Sequence, residues 1–176
     1  FATSVTQTTS TLALDLDSVV KVGQAISGEL DMSRLLRRLS LLLVENAGAS
    51  RAALLLMHEG QLRVEAEATG DGEVDVGMGT PVDEFVELPH SIVRHVERLH
   101  ENVLLTDAID DPVHSADPYI AARRPRSLLC TPLLYQGELT CVLYLENTLT
   151  VGVFTLRRLA IIQQLAAQVA ISLANA

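Results

Sequence analysis

Apolar residues recur at helical spacing near both ends of the chain. Between residues 12 and 30 they follow one another at alternating intervals of four and three, and residues 32–47 and 154–174 carry similar stripes. Such spacing places apolar side chains along one side of a helix. Asp31 is suited to cap the second of these helices, and Gly48 is suited to end it. The pattern therefore predicts two helices at the start of the chain and one long helix at its end.

Two β-hairpins are predicted between these helices. Residues 51–58 and 61–69 are strand-length segments joined by Glu59-Gly60, and the second of them alternates between apolar and charged positions. Residues 127–147 contain two further apolar runs, which flank Gln136-Gly137. Glycine accepts the positive φ that a tight turn requires, so both turns favour antiparallel pairing of the strands beside them.

A two-residue turn at Gln136-Gly137 also predicts which side chains of the second hairpin share a face. One face is apolar and holds Leu128, Cys130, Pro132, Leu134, Leu139, Cys141, Leu143 and Leu145. The other is mixed and holds Thr131, Tyr135, Glu138, Thr140, Tyr144 and Glu146. Because a slip of one residue turns every side chain over, the register that separates these sets is favoured. We expect ligand chemistry on the mixed face, and both cysteines as inert core residues beneath the terminal helices.

The segment between the hairpins carries weaker patterns. They predict a mobile glycine-rich loop at 70–80, an edge strand at 81–88, a helix at 89–101, a strand at 102–107 and an irregular segment at 108–126 with a short helix near 119–123. Helices and strands do not alternate as they do in parallel α/β folds. The order therefore predicts an α+β fold, with the terminal helices on one face of an antiparallel sheet and residues 81–126 arching over the other.

The domain organisation follows from the same pattern. Residues 1–11 are expected to be a flexible lead-in, and residues 12–176 a single domain. We expect the last helix, about residues 155–175, to continue toward a downstream domain.

Composition narrows the classes of function. The 176 residues are 48% hydrophobic, which is ample for a core. A formal net charge of -9 argues against nucleic acid and anionic lipid as partners. No run approaches the roughly 20 apolar residues of a membrane helix, and the amino terminus lacks a signal-peptide pattern. Two cysteines without Cys-x-x-Cys spacing argue against a disulfide scaffold or zinc site and fit a cytoplasmic location.

Five segments carry a family likeness. They are Ala25-Ile26-Ser27-Gly28-Glu29-Leu30, Glu45-Asn46-Ala47-Gly48-Ala49, Asp117-Pro118-Tyr119-Ile120, Pro125-Arg126-Ser127-Leu128-Leu129-Cys130 and Leu143-Tyr144-Leu145-Glu146-Asn147. With the order of elements, they resemble the GAF domains of bacterial multi-sensor histidine kinases. The resemblance implies a cytoplasmic sensory module with a PAS-related, six-stranded antiparallel sheet. It also implies a small-molecule pocket on the face away from the terminal helices, dimerisation through those helices, and adjacent kinase domains.

The better-known chemistries of that family do not transfer to this chain. Cyclic-nucleotide-binding members carry Asn-Lys and a later Asp-Glu, whereas this chain has Asn147-Thr148 and Arg158-Leu159 at those places. Covalent bilin requires a cysteine in the segment before the second hairpin, and residues 108–126 contain none. A single loop histidine, His114, is weak support for haem. The cofactor therefore stays unknown, and no metal site is predicted.

Seven residues are candidates for contact with a ligand. Arginines 123, 124 and 126 lie close to Tyr119 in the sequence, and guanidinium groups are suited to carboxylates and other anions. The alternative is a solvated turn that balances nearby aspartates. The candidates are His114, Tyr119, Arg123, Arg126, Thr131, Thr140 and Tyr144. No nucleophile with a matched base, and no catalytic pair of carboxylates, can be assembled from the spacing, so we do not expect an enzyme.

The terminal stripes suggest a second kind of contact. Residues expected at a dimer interface are Leu12, Leu16, Val19, Ile26, Leu159, Ile162, Val169 and Leu173. Packing against the chain's own core would explain one stripe per helix equally well. Three hypotheses for function follow: a sensory domain that binds a small molecule or a neighbouring domain, a structural dimerisation module with no ligand, and a redox enzyme of the methionine sulfoxide reductase kind.

Overall fold

The structure, a computed structural model, describes residues 32–174, and its elements follow the predicted order. They are α1 (Met32–Ala47), β1 (Arg51–His58), β2 (Gln61–Thr69), β3 (Val74–Pro81), α2 (His90–Leu99), β4 (Val103–Leu105), α3 (Pro118–Arg123), β5 (Ser127–Tyr135), β6 (Glu138–Asn147) and α4 (Leu156–Ala174). A single 3-10 turn at Val82–Glu84 follows β3. The lead-in and the first predicted helix lie outside the described residues, as do the side chains of residues 169, 173 and 174.

The six strands form one antiparallel sheet in the order β3-β2-β1-β6-β5-β4. Each predicted hairpin turn is present, with Glu59, Gly60, Gln136 and Gly137 all at positive φ. Paired positive φ values suit the tight turns that match the twist of the flanking strands. The predicted α+β fold, with a six-stranded antiparallel sheet, is confirmed.

Each face of the sheet buries its own apolar cluster. We call the side covered by α1 and α4 the terminal-helix face; its core includes Leu39, Leu43, Leu54, Leu143 and Ile162. We call the other side the lid face, because α2, α3 and the segments beside them cover it; its core includes Val64, Ile92, Val96, Ile120 and Val142. Residues 81–126 thus arch over the lid face, as the sequence predicts.

The expected register of the second hairpin is wrong beyond its turn. Tyr135 pairs with Glu138 as predicted, but Leu133 pairs with Cys141, which leaves Thr140 as an extra residue in β6. A β-bulge of this kind reverses the alternation of side chains along the strand that carries it. The residues expected on one apolar face are therefore divided between the two faces of the sheet.

The cysteines are the clearest instance of this correction. Cys130 pairs with Tyr144 and belongs to the core of the lid face, whereas Cys141 pairs with Leu133 and belongs to the core of the terminal-helix face. Both thiols are free and fully buried. Burial raises the pKa of Cys141 to about 12 and raises the pKa of Cys130 further still. Their expected inertness agrees with this burial, although they do not share a face.

The prediction of a mobile loop at 70–80 is also wrong in its second half. Val74–Pro81 pairs with β2 as an edge strand, and Val74 and Val76 pack against the core of the terminal-helix face. Gly77 and Gly79 both have positive φ, which accommodates the irregular register there. Glycines that indicated a loop instead permit a bulged strand. The edge strand expected at 81–88 is replaced by the end of β3 and the 3-10 turn.

Candidate functional site

Five polar side chains meet between α3 and the centre of the lid face. Arg51 begins β1, Glu67 lies on β2, Tyr144 and Glu146 lie on β6, and Tyr119 reaches down from α3. Tyr144 is completely buried, and Glu146 is only 3% exposed. We call these five residues the arginine-tyrosine cluster. They lie on the sheet face away from the terminal helices.

The carboxylate of Glu146 is the centre of the cluster. The Tyr144 hydroxyl donates to its Oε2 at 2.6 Å, and the Tyr119 hydroxyl lies 2.9 and 2.8 Å from its two oxygens. Arg51 Nη1 donates to the Tyr119 hydroxyl at 3.0 Å and lies 3.7 Å from Glu146 Oε1. Arg51 Nε donates to the carboxylate of Glu67 at 2.8 Å. A buried carboxylate is tolerated because charged and hydroxyl donors surround it.

Ring contacts add to these hydrogen bonds. The rings of Tyr119 and Tyr144 meet edge to face, with centroids 6.5 Å apart and an interplanar angle of 81°. The Arg51 guanidinium carbon lies 5.9 Å from the centroid of each ring, within range of a cation-π interaction. One guanidinium nitrogen, Arg51 Nη2, is buried without a hydrogen-bond partner. The cluster therefore holds one unused donor.

Burial and the neighbouring carboxylate keep both phenols protonated. Burial first, and then the negative charge of Glu146, raise the pKa of Tyr119 and of Tyr144. For Arg51, burial acts to lower the pKa, but the hydrogen bond with Glu67 and the charges around it outweigh burial and raise that pKa. At neutral pH the phenols are thus hydrogen-bond donors, and the guanidinium is a fixed cation.

A single carboxylate positions the α3 residue of the cluster. Asp117 precedes α3, and its Oδ1 accepts a hydrogen bond from the backbone nitrogen of Tyr119 at 2.9 Å. Its Oδ2 accepts from the backbone nitrogen of Ser91 at 3.1 Å and from the Ser91 hydroxyl, in the first turn of α2. Side-chain acceptors of this kind satisfy N–H groups that a helix leaves unpaired at its start. Asp117 therefore caps both helices and holds them together.

Two of the seven predicted ligand contacts, Tyr119 and Tyr144, lie in the arginine-tyrosine cluster. The predicted arginines point elsewhere: the exposed Arg123 pairs with Glu87 at 2.5 Å, and Arg126 pairs with Asp107 at 3.0 Å. Pairing with nearby acids is what the alternative interpretation of this basic segment expects. His114 is half-buried in the turn before α3, where its backbone nitrogen donates to Asp111.

Neither predicted threonine reaches the cluster. Thr131 pairs with Leu143, so it lies on the terminal-helix face rather than on the mixed face expected for it. Its hydroxyl is hydrogen-bonded to Asn102. Thr140 is the bulge residue, and its hydroxyl donates to the Leu133 carbonyl at 3.0 Å. The bulge explains both placements, since the predicted register contained none.

Three residues of the cluster were not among the candidates. Glu146 was on the predicted mixed face but was expected to be within reach of solvent, and Glu67 was expected to point outward into water. In the sequence pattern, Arg51 only marks the start of an apolar strand. In the regular hairpin that the Glu59-Gly60 turn predicts, Arg51 pairs with Ala68 and lies on the opposite face from Glu67. A β-bulge at Glu65 shifts the pairing to Arg51 with Thr69 and brings Arg51 and Glu67 onto the same face, so the local sequence carries no signal for this contact.

The predicted dimer residues that can be placed lie inside the chain's own core. Leu159 and Ile162 are 8% and 2% exposed and pack in the cluster of the terminal-helix face. These two side chains therefore face the sheet, and the core-packing alternative is correct for them. Leu12, Leu16, Val19 and Ile26 lie outside the described residues, and so do the side chains of Val169 and Leu173.

In residues 32–174, no three His, Cys, Asp or Glu side chains come together in a way that suits a metal ion. Across the same residues, no helix combines the length and the apolar character that crossing a membrane requires.

Comparison with known proteins identifies relatives of this fold. A family model described as GAF domain matches residues 31–173. A stretch of 86 residues, 49% of the chain, is 42% identical to part of hybrid signal transduction histidine kinase G of Dictyostelium discoideum. The chain spans only 2% of the length of that kinase.

Solved structures give the same fold. The GAF domain of a phosphoenolpyruvate-protein phosphotransferase from Coxiella burnetii is 20% identical, with a TM-score of 0.70 over 92% of this chain and 93% of that chain. A free methionine-R-sulfoxide reductase from Neisseria meningitidis is 16% identical, with a TM-score of 0.61 over 93% of each chain. Likeness at such identities establishes the fold and carries no activity with it.

Proposed function

This chain belongs to the GAF domain family, and on that premise we propose that it is a cytoplasmic sensory domain of a two-component histidine kinase. In this proposal it catalyses no reaction itself. A small molecule or a neighbouring domain binds beneath α3, and the terminal helices relay that event to adjacent kinase domains.

One observation carries the proposal: strand β6 is shared by the candidate site and by the core of the terminal helices. Tyr144 and Glu146 lie on its lid face, while Leu143 and Leu145 on the reverse side pack in the cluster that includes residues of α1 and α4. A change in the occupant of the lid face therefore acts on a strand that the terminal helices contact directly. A ligand shifts such an equilibrium only as far as it binds the two arrangements unequally.

Kinase output is the test of this proposal. In the full-length protein, Tyr144→Phe removes one donor to Glu146 while keeping the ring, and we expect it to change the rate of autophosphorylation at least about two-fold. Tyr135→Phe, at the turn of the same hairpin, is the matched control and should leave the rate unchanged. Equal rates for Tyr144→Phe, the control and the parent, together with no effect of deleting the domain, would eliminate a sensory role.

A structural dimerisation module is the second candidate, and a specific observation favours it. The arginine-tyrosine cluster fills the space beneath α3 with the chain's own side chains, and Tyr119 is only 8% exposed. In that case purified domain should form dimers in sedimentation experiments, and substitutions in the cluster should leave kinase output unchanged. Because Leu159 and Ile162 are buried, a dimer would use other faces of the terminal helices; on α4, Ile171 is 39% exposed.

The structure disfavours the third candidate, a methionine sulfoxide reductase. Cys130 and Cys141 are fully buried on opposite faces of the sheet, and burial raises the pKa of each thiol. A reductase of this type needs accessible thiols that ionise readily. We therefore expect no turnover of free methionine sulfoxide by the parent chain. Activity that disappears in Cys130→Ser or Cys141→Ser would reverse this conclusion.

A further inference from the structure

The ring of Tyr119 occupies the place that a ligand of the proposed function would take. It lies beneath α3. Its hydroxyl is hydrogen-bonded to Glu146, and its ring meets the ring of Tyr144 in an edge-to-face contact. Tyr119 reaches this place from a helix of six residues that Asp117 begins and Arg124 ends in the left-handed conformation. The occupant is thus carried by a short, separately capped element that lies over the sheet.

The Tyr119 hydroxyl makes two kinds of hydrogen bond at once. It donates to the Glu146 carboxylate and accepts from Arg51 Nη1 at 3.0 Å. Any group that replaces it must also do both, because otherwise a buried acceptor or donor is left unpaired, which is costly. A hydroxyl meets this requirement. A carboxylate or phosphate dianion has no proton to donate, and an ammonium group cannot accept.

Charge leads to the same conclusion. Two carboxylates, Glu67 and Glu146, accompany one cation, Arg51, in the cluster. An additional anion would face this excess negative charge, whereas a cation at the position of the Tyr119 hydroxyl would lie 3.0 Å from Arg51 Nη1 with no lone pair to accept its hydrogen bond. An uncharged group is therefore favoured. The unpartnered Arg51 Nη2 offers a further donor to an acceptor atom on the same molecule.

The neighbours of the Tyr119 ring favour a flat aromatic replacement. Tyr144 contacts the ring edge to face, and the Arg51 guanidinium carbon lies 5.9 Å from the ring centroid. Both contacts depend on the π-system of the ring and not on its attachment to α3. An aromatic molecule with one hydroxyl group would reproduce each of them.

We propose that this site binds a small, uncharged aromatic molecule with a hydroxyl group, a phenol, and that Tyr119 is the exchangeable occupant that leaves when the phenol binds. The proposal rests on the proposed function, because it specifies the ligand of that same site. Departure of Tyr119 would release α3 from β6, so binding would alter the lid and the central strand together.

The test uses 4-methylphenol as the probe and the full chain as the protein. In Tyr119→Ala, removal of the ring leaves a cavity beneath α3, and cavities of about 150 Å³ hold a benzene ring. We expect 4-methylphenol to bind this variant at least about ten-fold more tightly than toluene, which lacks the hydroxyl, by calorimetric titration. Under the same conditions 4-methylbenzoate should not bind. Tyr135→Ala, which leaves Tyr119 in place, is the matched control and should bind each of the three no more tightly than the parent does.

A second variant keeps the site folded if Tyr119→Ala does not fold. Tyr119→Phe retains the ring but loses the hydroxyl, so the side chain competes less well for its own place. We expect 4-methylphenol to bind this variant about ten-fold more tightly than it binds the parent, and to accelerate amide hydrogen exchange in α3. Equal affinity for 4-methylphenol and toluene, or no binding of either by the folded variants, would overturn the proposal.

Two sets of results distinguish a wrong ligand class from the absence of a sensory role. If neither variant binds the phenol but Tyr144→Phe changes autophosphorylation, the ligand class is wrong and the sensory role stands. If the phenol binds and autophosphorylation responds to neither the phenol nor Tyr144→Phe, the ligand class is correct and the sensory role fails.

Discussion

Arg51 is the residue on which the charge balance of the lid face depends. Its side chain is 11% exposed, and it contacts two carboxylates and a phenol that are themselves largely buried. Removing one partner from a buried ion pair is far more costly than never having formed the pair, because the remaining charge stays in a poorly solvated place. The stability of the cluster therefore depends on Arg51 more than on any of the arginines near α3.

Arg51→Met tests this dependence. The substitution keeps most of the apolar stem and removes the charge, and we expect it to lower the free energy of unfolding by about 3 kcal/mol. Urea titration followed by circular dichroism measures the change. Arg123→Met is the control, because Arg123 is 60% exposed and pairs with Glu87 at the surface; its cost should stay below about 0.5 kcal/mol. Similar costs for the two variants would contradict the role given to Arg51.

The two thiols should be unreactive in the folded chain. At pH 8, a pKa of about 12 leaves about one Cys141 side chain in 10,000 as thiolate, and Cys130 ionises less. We expect an aromatic disulfide reagent to label neither cysteine in native buffer and both in guanidinium chloride. The reagent cannot reach a fully buried thiol, so labelling of the folded chain should stay below detection at both pH 7 and pH 9, although the thiolate fraction rises with pH. Rapid labelling of Cys130 alone would indicate that the lid opens.

Two of the five residues of the arginine-tyrosine cluster are candidates in the sequence. The sequence indicates Tyr119 because it lies close to three arginines, and Tyr144 because it lies on the mixed face of the second hairpin. The sequence does not indicate Arg51, because its partners Tyr119 and Glu146 lie 68 and 95 residues away on α3 and β6, and it does not indicate Glu67, because the partner of Glu67 is Arg51. Only the assembled sheet brings those segments together.

At the scale of elements, the lid consists of two short helices that share one cap. Asp117 accepts hydrogen bonds from the first turns of both α2 and α3. The N-terminal amides of each helix would otherwise be partly unpaired, and each such cap is typically worth about 1 kcal/mol. The position of Tyr119 over the sheet therefore depends on a residue that does not touch the sheet cluster itself.

Asp117→Ala should weaken both helices together. We expect a loss of about 2 kcal/mol of unfolding free energy and faster hydrogen exchange at the amides of Ser91 and Tyr119. Asp117→Asn keeps one acceptor oxygen and should fall between Asp117→Ala and the parent. Asp110→Ala, an exposed neighbour in the same irregular segment, is the control. Faster exchange at only one of the two amides would show that the shared cap does not join the helices.

Most elements were predictable, because periodicity and turn chemistry are local properties. The bounds of α1, β1 and β2 match the predicted segments. The strand β3 was not predictable from glycine content, since an edge strand needs only one partner and tolerates positive φ at a bulge. The bulge at Thr140 was equally hidden, because it depends on the pairing of β6 with two neighbours at once.

At the scale of the whole molecule, one sheet separates two apolar cores. The core of the terminal-helix face and that of the lid face use alternate residues of the same strands, so neither can lose its packing without exposing the other. A domain built in this way is expected to unfold in a single cooperative transition. Because both cores use the same strands, a change in the packing of α2 or α3 on the lid face would also act on the packing of the terminal helices.

Ile162→Ala tests cooperation across the sheet. Ile162 is 2% exposed on α4, and truncation of such a residue typically costs about 2–5 kcal/mol. The chain has no tryptophan, so tyrosine fluorescence reports mainly on the lid face, where Tyr119 and Tyr144 are buried. We expect tyrosine fluorescence and far-ultraviolet circular dichroism to shift to the same lower urea midpoint. Ile171→Ala, at a side chain 39% exposed, should shift the midpoint by a small fraction of this amount.

If the fluorescence midpoint kept its parental value while the dichroism midpoint fell, the two faces would unfold independently. A relay from the lid to the terminal helices through β6 would then have no physical basis.

The bulges in β2 and β6 have a consequence for how the length of related chains varies in evolution. Val64 and Ala66 lie on opposite faces with Glu65 unpaired between them, and Leu139 and Cys141 do the same around Thr140. Loss of either unpaired residue would restore regular alternation and leave every other side chain on its present face. Loss of an adjacent residue would instead place the charged Glu65, or the polar Thr140, at the core position of the residue that was lost. Single-residue gaps in these strands should therefore concentrate opposite Glu65 and Thr140 among descendants of a common ancestor.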